Sequence, residues 1–323
     1  MKKKSISLIA FALCVIAFAS AQNRVEYLLE KNWKFIRVDN QEQIKPDYDD
    51  SKWQSVTVPH DWAIYGPFSS QNDKQTVAIL QDGQTEASEH AGRTGGLPFV
   101  GVGWYRNTGN LPAYEPGKKV TLLFDGAMAN SQVYVNGKKA GEWPYGYNSF
   151  YLDVTEFLNK DKKTNVLAVR LENRPEQSRW YPGAGLYRNV RVIVTNETHI
   201  PVWGTYVTTP EVNEQFAKVN VKTNLANTSK DGAYQVITKI ADSHGKIIAE
   251  TKSDLSKYDN NLIEQQLVVD NPKLWELNNP VLYTVHTILE ESNVEIDNYS
   301  TTFGIRTLNV RPNDGFYLNG KKT

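Results

Sequence analysis

Short segments with alternating apolar and polar positions recur along the chain after Gln22. A period of two residues is typical of half-buried β-strands. The pair Asn136-Gly137 follows one such segment and predicts a tight hairpin, because both central residues of that turn need positive φ. No convincing amphipathic helix longer than two turns interrupts the pattern. In the first half of the chain the predicted strands are 120–124, 131–135, 165–172 and 190–195.

The alternation is cleanest beyond His199-Ile200-Pro201, where the composition also changes: six of the eight Trp precede this point. Apolar side chains of 219–225 are expected on one face of a strand and polar ones on the other, as in an antiparallel sheet with one buried face. We therefore predict an immunoglobulin-like β-sandwich over residues 199–306 and a sandwich or jelly roll over 22–198. Further strands of the second unit are predicted at 234–240, 246–250, 262–269 and 281–289.

The segment 307–323 fits neither predicted sandwich. Residues 316–321 are typical of a strand that enters an Asn319-Gly320 turn, and the sequence shows no returning strand before Thr323. A turn without its second strand leaves backbone groups unpaired and apolar side chains uncovered. We therefore expect this segment to be the incomplete start of a further domain.

Residues 1–21 have the order of a secretory signal peptide. Three lysines precede an apolar stretch from Ile6 to Phe18, and Ala19-Ser20-Ala21 is an A-x-A cleavage site. The apolar stretch is too short to span a bilayer comfortably, although a retained membrane anchor is the alternative. We expect a soluble protein, not a membrane protein, in the periplasm or secreted from the cell.

Charge and motif content exclude several classes of protein. The 36 Lys and Arg balance the 36 Asp and Glu, which argues against a nucleic-acid binder with its basic stripe. The one Cys excludes an intramolecular disulfide, and the five His show no metal-ligand spacing. Phosphate-binding, dinucleotide-binding and metalloprotease motifs are absent. We therefore predict no cofactor and no metal site.

The candidate chemistry is aromatic, since the chain has eight Trp and 17 Tyr. A sugar site needs flat apolar rings for the C–H face of a pyranose and a few placed polar groups for its hydroxyls. Two segments, 58–62 and 179–189, combine aromatic, charged or amide, and turn residues. The alternative is that these Trp and Tyr fill the sandwich interior, since Trp is mostly buried wherever it occurs.

Several motifs in order resemble the non-catalytic front part of glycoside hydrolase family 2, most closely its bacterial β-galactosidases. The resemblance extends over essentially everything after residue 21. It is highly specific for family 2 and less specific for galactosidase over glucuronidase or mannosidase. The matching segments are Val56–Trp62, Gly101–Arg106, Phe124–Gly126, Val133–Gly137, Asp153–Thr155, Trp180–Asn189, Leu274-Trp275, Asn279–Tyr283, Phe303–Thr307 and Gly315–Lys321.

The resemblance implies an all-β chain with three parts. These are a galactose-binding-like jelly-roll domain, an immunoglobulin-like sandwich and, at 307–323, a stub of the entry to a (β/α)8 barrel. In the family both catalytic glutamates lie on the barrel, so no catalytic residue can be assigned in this chain. The alternatives left open are a stand-alone carbohydrate-binding module and a non-catalytic partner subunit of a separately encoded barrel.

The resemblance also implies substrate-binding residues. Asn189 matches a sugar contact for which some relatives carry Asp, and an amide there both donates and accepts hydrogen bonds. Asp61, with Trp62 beside it, is a second candidate for a sugar hydroxyl. Arg188 is expected to fix the loop through a bidentate ion pair. The implied partners are a β-galactoside glycan and the missing barrel, and the sequence leaves the oligomeric state open.

Overall fold

The regular secondary structure of the described residues is almost wholly β-strand, which confirms the all-β prediction. The computed structural model describes residues 23–69, 71–72, 85, 98–161, 163–175, 181–257 and 260–323. The predicted signal peptide at 1–21 lies outside the described residues, and so do Arg179 and Trp180. None of the described segments forms a helix long and apolar enough to cross a membrane. The helical segments described are short 3-10 turns, η1 (Gln41–Ile44), η2 (Ala63–Tyr65), η3 (Thr155–Phe157) and η4 (Leu255–Lys257).

Two antiparallel sheets form the first sandwich. The larger has the strand order β3-β2-β4-β9-β6-β7, and the smaller has the order β1-β10-β5-β8. The strands are β1 (Val25–Leu28), β2 (Trp33–Ile36), β3 (Gln54–Val56), β4 (Gly101–Thr108), β5 (Lys118–Phe124), β6 (Ser131–Val135), β7 (Lys138–Trp143), β8 (Phe150–Asp153), β9 (Val166–Asn173) and β10 (Val190–Asn196).

The sequence pattern predicted four strands and one hairpin of this sandwich correctly. The predicted strands 120–124, 131–135, 165–172 and 190–195 correspond to β5, β6, β9 and β10. Asn136 and Gly137 have φ values of 52° and 79°, and they connect the paired strands β6 and β7. The predicted Asn-Gly hairpin is therefore confirmed, with the backbone geometry that favours these two residues.

The second sandwich has a three-stranded sheet, β11-β12-β15, and a four-stranded sheet, β14-β13-β16-β17. Along β12 the residues Ala217, Val219, Val221 and Thr223 are buried and alternate with more exposed neighbours, as the sequence predicts. Such alternation places one face of the sheet against the core. The strands are β11 (Thr205–Val212), β12 (Phe216–Asn224), β13 (Tyr234–Ala241), β14 (Ile247–Asp254), β15 (Leu262–Asp270), β16 (Tyr283–Glu291) and β17 (Val294–Phe303).

A buried ion pair connects the start of the described chain to the second sandwich. Arg24 donates from Nε to Oδ1 of Asp297 at 2.9 Å and from Nη2 to Oδ2 at 2.7 Å. The Asp297 side chain has no solvent exposure, and the backbone N–H of Ile200 also donates to it at 2.7 Å. A charged pair with this fork geometry holds two segments 273 residues apart in one arrangement.

The segment 307–323 forms a small sheet in the order β18-β19-β20. Its strands are β18 (Leu308–Arg311), β19 (Gly315–Leu318) and β20 (Lys321–Lys322). The expectation of a turn without a returning strand was wrong, because Lys321 and Lys322 pair back onto Leu318 and Tyr317. Asn319 and Gly320 have the positive φ values of a tight turn, which makes this short return sterically allowed. The domain limits at 198 and 306 stay predictions.

Candidate functional site

Asn189 lies at one end of the smaller sheet of the first sandwich. Val190 pairs with Phe124, so the residues just outside these strand ends, Asn189 and Asp125, are neighbours. The backbone N–H of Asp125 donates to the carbonyl of Asn189 at 2.9 Å. Strand pairing alone therefore brings together two polar side chains that are 64 positions apart in the sequence.

These two residues lie in a cleft of about 450 Å³, which we call the Asn189 cleft. The side-chain amide of Asn189 is half-buried and makes no hydrogen bond to any other residue that the structure describes. It is therefore able to donate to and accept from a ligand hydroxyl. The cleft is lined by Pro59, Asp125, Ser149, Tyr187, Arg188 and Asn189.

Backbone hydrogen bonds fix the loop that carries Asn189. Met128 and Gly185 exchange two bonds of 2.9 Å, and the N–H of His60 donates to the carbonyl of Leu186 at 2.8 Å. Gly185 has φ +84°, and a Cβ there would lie 2.3 Å from the hydroxyl oxygen of Tyr105. Only glycine fits this close approach, so the loop is held against the sandwich before any ligand binds.

The bidentate ion pair expected of Arg188 is not present among the described residues, and this expectation is corrected. Arg191 pairs with Asp125 instead: its Nε and Nη2 each lie 3.3 Å from the same oxygen, Oδ2. The Arg188 side chain is exposed, and its stem crosses Gly126, where a Cβ would be 2.8 Å from the Arg188 Cδ. Arg191 reaches Asp125 because it lies on β10 beside the end of β5, whereas Arg188 lies in the loop before β10.

Asp61 joins the two loops that the sequence singled out. Its Oδ2 accepts a hydrogen bond from the Tyr181 hydroxyl, and its Oδ1 accepts from the N–H of Ala63 at 3.0 Å. Burial, and then the Asp61 hydrogen bond, raise the pKa of Tyr181 far above its usual range, so this hydroxyl stays protonated. Asp61 also lines a larger cavity of about 970 Å³ that shares Pro59 and Tyr187 with the Asn189 cleft.

Trp62 belongs to the core and presents no face to a sugar. Its side chain is 2% exposed, and its ring stacks on Phe35 with centroids 5.5 Å apart. The ring also lies over Gly103, where a Cβ would be 2.4 Å away. The expectation of a sugar contact at Trp62 is therefore corrected, and the structural alternative holds for this residue.

His60 is a polar residue of the site to which the sequence analysis assigned no role. Its Nδ1 lies 2.7 Å from the hydroxyl of the buried Tyr105. Burial lowers the pKa of His60, while the nearby Asp61 opposes this effect, so the imidazole is neutral at neutral pH. Asp125, Ser149 and Tyr187 were also not assigned, although Asp125 and Tyr187 lie within segments that carry the family resemblance. Membership in a motif was the only available signal.

The acids that line these two cavities are all engaged by partners. Asp50 accepts from Nε of Arg106 at 2.8 Å, Asp61 from Tyr181, and Asp125 from Arg191. Retaining glycoside hydrolysis needs two carboxyl groups about 5–5.5 Å apart, one as nucleophile and one as acid and base. The described residues that line these cavities include no such pair of available carboxyls. The described part of the chain also has no cluster of three or more His, Cys, Asp or Glu that could hold a metal ion.

Comparison with known sequences gives a match within the second sandwich and relatives along nearly the whole chain. Residues 198–306 match the family described as glycosyl hydrolases family 2. Beta-galactosidase BoGH2A of Bacteroides ovatus is 38% identical over 90% of this chain and 33% of its own length. A beta-glucuronidase of Bacteroides fragilis is 27% identical over 99% of this chain and 43% of its own length. The chain thus spans about a third of the length of the curated relatives it matches.

Solved structures agree with these sequence relatives. A glycosyl hydrolase family 2 member from Bacteroides cellulosilyticus superimposes with a TM-score of 0.79 at 33% identity and covers 92% of this chain and 37% of its own. A beta-glucuronidase from glycoside hydrolase family 2 superimposes with a TM-score of 0.78 at 26% identity, over 94% of this chain and 33% of its own. The matches in sequence and in structure together place the chain in glycosyl hydrolase family 2, of whose compared members it spans about a third.

Proposed function

We propose that this chain is the sugar-binding, non-catalytic portion of a retaining, β-galactosidase-like glycoside hydrolase. The observation that carries the proposal is the unpartnered amide of Asn189 in a preformed cleft of a family 2 chain. The engaged state of the cavity-lining carboxylates supports a binding role rather than bond cleavage. The nucleophile and the acid of the complete enzyme would come from its catalytic barrel.

The role of the Asn189 cleft in such an enzyme is to position the terminal sugar. Asn189 can donate to one sugar hydroxyl and accept from another, and Asp61 retains lone pairs for a further hydroxyl. Contacts remote from the reacting bond reduce the entropic cost of alignment, so their loss lowers the rate as well as the affinity. A β-galactoside is the proposed substrate, with a β-glucuronide as the alternative that the relatives' names suggest.

We also propose that the protein is exported to the periplasm or secreted. The support is the sequence pattern of residues 1–21, which lie outside the described part of the chain. N-terminal sequencing of protein recovered from the periplasm or medium should begin at Gln22. A mature protein that begins at Met1 would contradict export by cleavage.

The purified chain should not hydrolyse a chromogenic β-galactoside. The reason is that retaining hydrolysis needs two available carboxyls at the reacting bond. Release of nitrophenol is the measurement, with a heat-denatured sample as the blank. Turnover above that blank would contradict the non-catalytic assignment.

Galactose should bind the purified chain with a dissociation constant in about the millimolar range. Micromolar galactose binding by calorimetry would instead favour a stand-alone carbohydrate-binding module.

Substitution of Asn189 tests the site itself. In an enzyme in which this chain is joined to its barrel, Asn189→Ala should lower kcat/KM about tenfold, because one hydrogen bond of about 1.5 kcal/mol is lost. Asn298→Ala, at an exposed position on β17 and away from the cleft, is the matched control. Unchanged kinetics in Asn189→Ala would remove this residue from the site.

A further inference from the structure

A short loop between β7 and β8, residues 144–149, forms one side of the Asn189 cleft. Ser149 at its end lines the cleft, and the Tyr187 hydroxyl donates to the carbonyl of Gly146 at 2.8 Å. At the other end of the loop, the N–H of Asn130 donates to the carbonyl of Pro144 at 3.0 Å. The loop is therefore attached both to the cleft and to the neighbouring strand.

Close packing holds the middle of this loop. Gly146 is buried, and a Cβ at this position would lie 2.3 Å from Sδ of Met128. A larger residue cannot replace it without displacing Met128, so the loop backbone is pressed onto the sandwich. A loop fixed in this way loses little conformational entropy when it binds a ligand.

The tyrosines on either side of Gly146 present their rings to solvent. Tyr145 is 54% exposed and Tyr147 is 42% exposed. Their rings contact each other edge to face, with centroids 5.5 Å apart and an interplanar angle of 60°. Two large exposed rings on a pinned loop form an apolar platform, and a platform of this kind at the rim of a polar cleft is a feature of binding sites. We call it the Tyr145–Tyr147 platform.

We propose that the Tyr145–Tyr147 platform is a second sugar-binding subsite, which takes a further pyranose ring of a β-linked oligosaccharide. This inference rests on the proposed function in one respect, namely that the terminal sugar occupies the Asn189 cleft. The two rings are inclined at 60°, so the face of one ring is available to the C–H face of a pyranose and the other ring borders it. Asn148 supplies an exposed amide on the same loop, and the Ser149 hydroxyl, which donates to the carbonyl of Asp125, can accept from a sugar hydroxyl. The substrate class is thus an oligosaccharide rather than a single galactoside.

Continuity of the surface favours a glycan over another occupant. Ser149 belongs both to the cleft and to the platform loop, and Tyr187 connects the cleft to Gly146. A sugar chain that leaves the cleft past Ser149 or Tyr187 would therefore reach the loop that carries the platform. Two rings alone are far below the roughly 1,200 Å² that a stable protein interface buries, so a second copy of the chain is the weaker occupant.

The test compares a short and a long ligand on the full chain. Ligand-observed NMR titrations would use galactose, glucuronate, a β-1,4-linked galactotetraose and a glucuronate-terminated tetrasaccharide. The tetrasaccharide whose terminal sugar fits the Asn189 cleft should bind about tenfold more tightly than that sugar alone. The double variant Tyr145→Ala/Tyr147→Ala should lose this difference while monosaccharide binding stays unchanged. The double Phe variant keeps both rings and should retain the difference.

The matched control and the other outcomes separate the two proposals. Tyr206→Ala removes a tyrosine that is 64% exposed on the second sandwich, and it should leave both affinities unchanged. Monosaccharide binding that depends on Asn189, without any gain for the tetrasaccharides, would overturn the platform and leave the cleft intact. No binding of any probe would overturn both. Dimerisation of the parent chain in analytical ultracentrifugation that the double Ala variant abolishes would assign the platform to contact between copies instead.

Discussion

The two sandwiches fill their interiors with different kinds of side chain. The interior of the first is rich in large rings, whereas that of the second is mainly aliphatic. Large rings reach beyond the sheets into the loops, and small branched side chains do not. The buried rings of the first include Trp33, Phe35, Trp62, Tyr105, Phe124 and Phe150, and the buried residues of the second include Val219, Val221, Val236, Ile240, Val285 and Leu289.

This difference decides where a site can be built. In the first sandwich Tyr105 is buried on β4, yet its hydroxyl reaches His60 in the loop that also carries Asp61. Phe35 and Trp62 stack across the same space. The loops of the Asn189 cleft therefore rest on core rings, so that core and site share residues. In the second sandwich, buried positions on β12 and β15 alternate with more exposed ones, and the buried side chains pack into the core.

The sharpest test of this comparison removes one large core residue from each sandwich. Trp62→Ala should lower the free energy of unfolding by about 3–5 kcal/mol and Leu289→Ala by about 2–5 kcal/mol, because each leaves a cavity. Only Trp62→Ala should also weaken galactose binding, since Trp62 supports the site loops. Denaturant unfolding and NMR titration at a temperature where both variants stay folded are the measurements. Equal loss of binding in the two variants would contradict the comparison.

The next test acts where the two sandwiches meet. Asp297→Ala should lower the free energy of unfolding by about 3 kcal/mol, because it leaves the Arg24 guanidinium buried without its partner. Glu264→Ala removes one partner of an exposed ion pair with Lys222, with side chains 53% and 46% exposed, and should cost less than about 1 kcal/mol. A cost for Asp297→Ala no larger than that of Glu264→Ala would show that the buried pair contributes little.

The smallest expected effect is a pH dependence that belongs to the first sandwich. Because burial lowers the pKa of His60 in the folded state, the unfolded chain takes up a proton first as the pH falls. The contribution of His60 to the free energy of unfolding is therefore complete at pH values above its pKa in the unfolded chain, about 6.5. It decreases as the pH falls below that value, until the lower pKa of the folded state is passed. Melting temperatures measured between pH 5 and pH 7 should show a slightly steeper decrease for the parent than for His60→Asn.

Two comparisons keep this pH test specific. His244→Asn, at an exposed turn of the second sandwich, is the matched control and should follow the parent curve. Asp39 titrates in a separate, more acidic range, because its hydrogen bond with Arg170 holds its pKa below the usual value. Identical curves for the parent and His60→Asn would show that His60 does not contribute to the acid sensitivity.

The accuracy of the sequence predictions depended on whether a feature is specified by neighbouring residues or by residues distant in the chain. On β12 each residue faces either core or solvent, so the alternation could be seen in the sequence. The Asn136-Gly137 turn was equally local, because two adjacent residues supply both positive φ values. Trp62 and Arg188 were misjudged for the opposite reason: their roles depend on Phe35, Gly103 and Gly126, which are distant in the chain.

The sequence by itself determined the all-β class, many of the strands, the Asn136-Gly137 turn and the family, because strand periodicity, positive-φ residues and motif order are features of neighbouring residues. Only the tertiary structure decided which side chains form the candidate site. Pairing of β5 with β10 placed Asp125 beside Asn189, and packing onto Met128 turned Tyr145 and Tyr147 outwards. Such contacts depend on the order of strands in a sheet and on the shape of a filled core, and no local pattern in the chain specifies either.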